Sequence, residues 1–118
     1  MSRYLFAGIL AAAMLAAGSV QAHHSFAAEF DANKPITLKG IVTKIEWTNP
    51  HVWFYVNVKD EKTGEVVNWG AEMGPPHGLQ RRGWRRDTLK IGEEVTVAGS
   101  LAKNGSKRMN ARTVTLTS

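Results

Sequence analysis

Apolar and polar residues alternate most regularly in the stretch from Trp47 to Val58, around the turn-forming pair Asn49-Pro50. Two rows of side chains result, with Val52, Phe54, Val56 and Val58 on one face and His51, Trp53, Tyr55 and Asn57 on the other. A period of two predicts a β-strand with one buried face. Because a solvated face has no need of three neighbouring ring-bearing side chains, the second row is also a candidate binding surface.

A long first strand is predicted before this turn, beginning at Ile36 after the break at Asn33-Lys34-Pro35. Its apolar phase changes after Gly40. The residues that then share a face are Ile41, Thr43, Ile45 and Trp47. A phase change at a glycine predicts a β-bulge that bends the strand strongly.

The rest of the chain supplies three strands: the return strand of a hairpin with the Trp53 strand, and two later strands. These strands are predicted at 65–73, 95–101 and 109–117, with one short helical turn at 79–84. Five strands in this order, with a bent first strand that serves both sheets, are typical of the OB-fold, a five-stranded Greek-key barrel. A small open β-sandwich is the alternative. We therefore predict an all-β, OB-like barrel.

The first 22 residues have the layout of a signal peptide. Arg3 supplies a positive charge, an apolar run extends from Leu5 to Ala17, and small residues lead to a cleavage site after Ala22. The run is shorter than the roughly 20 residues that span a bilayer, so we do not expect a membrane span. We predict export to the periplasm or the medium, an N-terminal arm at 23–35 and the OB-like domain at 36–118.

The composition shows no cysteine and an excess of positive charge in the second half of the chain. The sequence has no cysteine, so packing rather than disulfides must stabilise the fold. After cleavage, 14 basic and 10 acidic side chains would give a net charge of +4, and from Arg81 onward nine Lys/Arg face three Asp/Glu. Such an excess favours an anionic partner or simply solubility. The sequence has neither a glycine-rich phosphate loop nor a serine in a nucleophile elbow, so we do not expect an enzyme.

Three short motifs carry a resemblance to a known family. They are His23-His24-Ser25-Phe26-Ala27, Trp47-Thr48-Asn49-Pro50-His51-Val52-Trp53, and Arg82-Gly83-Trp84 ahead of Leu89-Lys90-Ile91-Gly92-Glu93. The chain resembles small exported bacterial proteins that share a domain of unknown function. The resemblance implies export and a compact β fold, and it implies no particular activity.

Histidines form the candidate metal ligands. An N-terminal His23 would offer its free amine and its ring to one ion, and His24, His51 or His77 could complete a T-shaped copper site. Copper is the one cofactor that the sequence brings forward. The alternatives are an exposed His23-His24 tip with incidental metal affinity and a His51 that only fixes the turn after Asn49-Pro50.

The candidate ligand-binding residues combine the outward aromatic row with the arginine-rich segment. They are His51, Trp53, Tyr55, Arg81, Arg82, Trp84 and Arg85. Four arginines around one tryptophan favour an anionic or stackable ligand. In the alternative interpretation Trp47, Trp53 and Trp84 fill the core and the arginines are merely solvated.

The predicted function is therefore an exported small ligand-binding or interaction module. Copper binding and a packing role against another envelope protein are the alternatives. Because we predict export, we do not expect nucleic acid as the partner.

Overall fold

The computed structural model describes residues 26–117 and contains five strands and one short helix, preceded by a helical segment at 26–29. The elements are β1 (Phe30–Glu46), β2 (Trp53–Lys59), β3 (Val66–Glu72), α1 (Pro76–Arg81), β4 (Glu94–Ala102) and β5 (Arg108–Leu116). The strands form a closed barrel in the order β1-β2-β3-β5-β4. This confirms the predicted OB-like barrel and excludes the open sandwich.

The first strand belongs to two pairings, as the sequence predicts. Its first part pairs antiparallel with β4 and its second part with β2, so that Ile41 has a partner in each. The change of phase occurs between Val42 and Lys44, where the register with β2 shifts. The expectation of a change at Gly40 is wrong: Val42 is buried and Ile41 is 40% exposed.

The glycine has a different role. A Cβ on Gly40 would lie 2.5 Å from the backbone oxygen of Asn57, so the residue lets β1 and β2 approach closely. The bulge follows two residues later and turns Ile45 toward the core.

The core is built from the inward rows of the strands, from one residue of α1 and from three residues outside the strands and the helix. The buried apolar side chains are Val42, Val52, Phe54, Val56, Ala71, Met73, Leu79, Leu89, Val95, Val97 and Met109. Full burial of one Val or Phe contributes roughly 1.5–3 kcal/mol relative to exposure. The inward row predicted for β2 is confirmed, since Val52, Phe54 and Val56 are fully buried.

A short parallel ladder closes the barrel. β3 pairs with β5 through only three residue pairs, Gly70–Glu72 with Arg108–Asn110. β5 continues to Leu116 with β4 as its strand partner. This three-pair ladder, which we call the seam, adjoins the two surfaces described below.

Two elements begin three or more residues earlier than the sequence predicts. β1 begins at Phe30 rather than Ile36, because the chain pairs with Leu101 and Ala102 before the bulge at 31–35. The helix begins at Pro76 rather than Leu79, since a proline at the first helical position has a suitable φ and needs no hydrogen-bond partner for its nitrogen. No helix of residues 26–117 is long and apolar enough to cross a membrane. The predicted cleavage site lies outside the described residues.

We predict that Gly99→Ala destabilises the barrel by about 1–3 kcal/mol, the usual cost of overpacking. A Cβ at Gly99 would overlap the backbone oxygen of Asn110, where β4 and β5 shift register. Urea unfolding followed by circular dichroism measures the effect. Gly74→Ala is the control, because a Cβ there has no atom within 4 Å. Equal unfolding midpoints for the two variants would contradict this account of the barrel's closure.

Candidate ligand-binding face

Two aromatic rings lie side by side on the outside of the barrel. Trp53 and Tyr55 are successive outward residues of β2, with ring centroids 6.5 Å apart and planes inclined by 21°. They lie above Gly70 of β3, where a Cβ would be 3.2 Å from Cε1 of Tyr55. Both rings are half-buried, and Trp53 is not among the residues packed against the core. The pair therefore forms an accessible aromatic face.

Cations flank both rings. The guanidinium carbon of Arg108 lies 4.5 Å from the centroid of Trp53, and Nζ of Lys44 lies 5.5 Å from that of Tyr55. Lys44 also forms an ion pair with Glu46 at 2.9 Å. Their hydrogen bond lowers the pKa of Glu46 and raises that of Lys44. Arg108 has no carboxylate within salt-bridge distance among residues 26–117, so its charge remains available to a ligand.

A cavity of about 310 Å³ adjoins Arg108. Residues 28–30 form one wall and the turn between β4 and β5 forms the other. Ser106 lines this cavity, and its buried hydroxyl has no hydrogen-bond partner within the described part of the chain. Because buried polar groups are nearly always paired, we expect this hydroxyl to pair with water or with a bound molecule. The aromatic face and the cavity share Arg108 and form one candidate site.

A second polar cluster lies at the other end of Trp53. Glu72 is the one charged side chain that is buried in the region 26–117, at 8% exposure. Its carboxylate accepts a hydrogen bond of 3.2 Å from the amide of Asn110 and lies 3.4 Å from Nδ1 of His51. These residues line a cavity of about 340 Å³ together with Phe26 and Glu29. His51 is thus held by Glu72, which the sequence did not indicate.

The arginine-rich segment lies elsewhere. Trp84 packs partly against the core, in agreement with the alternative interpretation, and Trp47 does the same. Arg81, Arg82 and Arg85 are exposed, and the cation over Trp53 comes from β5 instead. The site predicted to include both segments is therefore divided between two surfaces.

Arg108 and Ser106 were missed by the sequence analysis. The period of β5 places Met109 inward and so Arg108 outward, but nothing local indicates that β5 pairs in parallel with β3.

Metal ligands are few in the described residues. In the stretch 26–117 there is no group of three or more His, Cys, Asp or Glu side chains that could hold an ion. His77 is exposed on α1, while His51 lies beside Glu72. His23 and His24 lie outside the described residues, so the predicted copper site is untested.

The chain matches the model of one known protein family. The model of a family of unknown function, DUF6152, matches residues 11–111, and the protein belongs to that family. This confirms the resemblance to a domain of unknown function. None of the curated proteins matches the sequence.

Solved structures share the fold. The mitochondrial single-stranded DNA-binding protein Rim1 of S. cerevisiae matches with a TM-score of 0.56 and 8% identity, over 71% of this chain and 93% of that one. The small single-stranded DNA-binding protein of Streptomyces coelicolor matches with a TM-score of 0.51 and 18% identity, over 70% and 90%. The second such protein of Mycobacterium smegmatis gives 0.52 and 18%, over 71% and 88%. At these identities the likeness establishes the OB-fold alone.

We predict that Trp53→Ala leaves the barrel folded and costs no more than about 1.5 kcal/mol, the scale of an aromatic pair or a cation–π contact. Phe54→Ala, at the neighbouring inward position, should cost about 3–5 kcal/mol because Phe54 is fully buried. Chemical unfolding of both variants measures the difference. Loss of the fold in Trp53→Ala would show that the ring is a core residue.

Proposed function

We propose that the protein is a binding module that holds a flat-ringed anion on the aromatic face of Trp53 and Tyr55. One observation supports it most: two neighbouring rings are accessible, and Arg108 stands over one of them at 4.5 Å. Stacking holds a ring without regard to its substituents, whereas a guanidinium selects for negative charge. The combination favours a ligand that has both features.

The position of the face supports the same proposal. In OB-folds the outer surface of strands 2 and 3, together with the loops before β2 and between β4 and β5, is the usual ligand site. Here the rings come from β2, and Arg108 and Ser106 come from the β4–β5 hairpin. Ser106 adds a hydroxyl that could bond to the ligand beside Arg108.

Nucleotides are flat-ringed anions and make suitable probes. The structural neighbours are named as single-stranded DNA-binding proteins, which weighs in favour of a nucleotide chain. The predicted export weighs against nucleic acid as the natural partner. The proposed chemistry is the same whether or not the natural ligand is a nucleic acid. A ring of the ligand stacks on the aromatic face, and a negative charge of the ligand lies beside Arg108.

We predict that the protein binds a short oligothymidylate with quenching of tryptophan fluorescence. Trp53→Ala and Arg108→Gln should each weaken binding about tenfold, given 1–3 kcal/mol for a stacked base. Arg86→Gln, which removes the same charge away from the face, should change it little. Heparin, an anion without flat rings, is the competing ligand. Equal binding of heparin, equal effects of the two arginine variants, or no binding of oligonucleotide or thymidine monophosphate would contradict the proposal.

We further propose copper binding by His23 as a second candidate function, because Phe26 and His51 line the same cavity. Phe26 packs on Phe30 with centroids 5.9 Å apart, and Phe30 is 2% exposed. Three residues of extended chain span at most about 11 Å. A chain that began at His23 would therefore have its amine within reach of His51.

Glu72 favours this use of His51. A carboxylate beside Nδ1 fixes the ring and leaves Nε2 as the electron-pair donor, an arrangement found around many metal-bound histidines. Imidazole and amine nitrogens suit copper. Met73, whose thioether is a further soft donor, lines the same cavity.

We predict that the chain beginning at His23 binds Cu(II) at least tenfold more tightly than the same chain with one extra N-terminal residue, the scale expected for loss of ligand geometry. Titration followed by electron paramagnetic resonance measures both affinity and nitrogen coordination. His51→Ala should weaken binding, whereas His77→Ala should not. Equal affinities of the two chains would overturn this candidate.

A further inference from the structure

A groove of about 330 Å³ begins directly after the C-terminal end of the seam, at the residues that follow Glu72 and Asn110. The outer edge of β5 forms one wall, and α1 with the segment that follows it forms the other. The residues that line it are Met73, Gly74, Leu79, Arg82, Trp84, Ala111, Arg112, Thr113 and Val114. It includes Arg82 and Trp84 of the arginine-rich segment, which do not contribute to the aromatic face.

The edge of β5 in this groove is unpaired on one side. Pairing with β3 ends at Asn110, while β5 continues to Leu116. From Ala111 onward its strand partner is β4 alone. In the part of the chain that the structure describes, no other backbone hydrogen bond engages residues 111–114. An unpaired edge of this kind can accept an added strand.

The charges of the groove have one sign. Arg82 and Arg112 are the charged residues that line it, and neither has an acidic partner within 4 Å among residues 26–117. Arg81 and Arg85 are exposed nearby in the sequence. The groove is therefore complementary to a ligand with negative charge.

The wall opposite β5 is fixed and partly apolar. Trp84 is half-buried against the core, and its backbone N–H donates to the carbonyl of Leu79 at 3.0 Å. The preceding Gly83 has a φ of 93°, which lets the chain turn back after α1. Leu79 itself is buried. An occupant would thus meet a preformed surface rather than a loop that must first be ordered.

We infer that this groove binds an extended acidic segment of another polypeptide, which adds as a strand to the free edge of β5. The edge supplies donors and acceptors for a backbone, Arg82 and Arg112 select acidic side chains, and Leu79 with Trp84 contacts the apolar ones. Residues 1–25 contain no Asp or Glu, so charge complementarity argues against this chain's own N-terminal segment as the occupant. The groove uses none of the residues of the aromatic face, and the two sites can fail independently.

The probe is the acetylated and amidated peptide (Glu-Leu)3, with (Lys-Leu)3 as its charge-reversed match. Two copies of the acidic peptide, one N-methylated at its three Glu residues and the other at its three Leu residues, keep the charge and each remove half of the backbone donors. Fluorescence anisotropy on the whole chain measures affinity. We expect the acidic peptide to bind, and Arg82→Gln and Arg112→Gln each to weaken it about tenfold, as for the loss of one charged hydrogen bond. Lys59→Gln, which removes a charge from the far end of β2, should leave the affinity unchanged.

The remaining outcomes separate the alternatives. One of the two methylated copies should fail to bind, because strand addition depends on the N–H groups of alternate residues that face β5. Equal binding of methylated and unmethylated peptides would overturn the inference, since charge alone would then suffice. Equal binding of the lysine peptide, or no binding of the acidic one, would also overturn it. Binding of phosphatidylglycerol vesicles in place of the peptide would assign the arginines to a lipid surface instead.

Discussion

Two close backbone contacts determine the shape of this barrel. β1 approaches β2 at Gly40, and β4 approaches β5 at Gly99, so closely that a side chain at either position would meet a carbonyl oxygen. Each contact lies at or near a shift in strand register, where the sheet bends. With these bends, five strands can close into a barrel and bury one row of side chains from each. A larger residue at either position would interfere with that closure.

The aromatic face depends on a third glycine. With no side chain at Gly70, Trp53 and Tyr55 can lie low across β3 instead of standing away from the sheet. Arg108 reaches Trp53 because its register partner across the ladder is Gly70 itself. The same absence of a side chain thus brings the rings and the guanidinium together. Lys44, by contrast, is held by Glu46 and contributes less net charge.

Local patterns in the sequence were sufficient to predict most of the fold. The alternation around Phe54 and Val97 marks strands whose inward rows are buried in the structure, and the order of elements indicates the OB-fold. The bulge in β1 was predicted two residues too early, because a glycine that permits a close contact resembles one that permits a bulge.

The candidate site could be predicted only in part. The outward position of Trp53 and Tyr55 follows from the period of β2. Arg108 is 53 residues beyond Tyr55 in the chain, and it joins the face through a parallel pairing that leaves no local pattern. Sequence reasoning instead joined the rings to the nearest dense run of positive charge. The structure separates them, with Trp84 packed partly against the core.

The three-pair seam has a consequence for how the protein would respond to its ligands. Because this ladder has the fewest residue pairs of the five in the barrel, we expect it to open at the lowest free energy. Arg108 and Asn110 both belong to it: one stands over Trp53, and the other donates to Glu72. A molecule that engages either residue therefore also restrains the weakest joint of the barrel. Binding at the aromatic face would then change the rigidity of the seam rather than its shape.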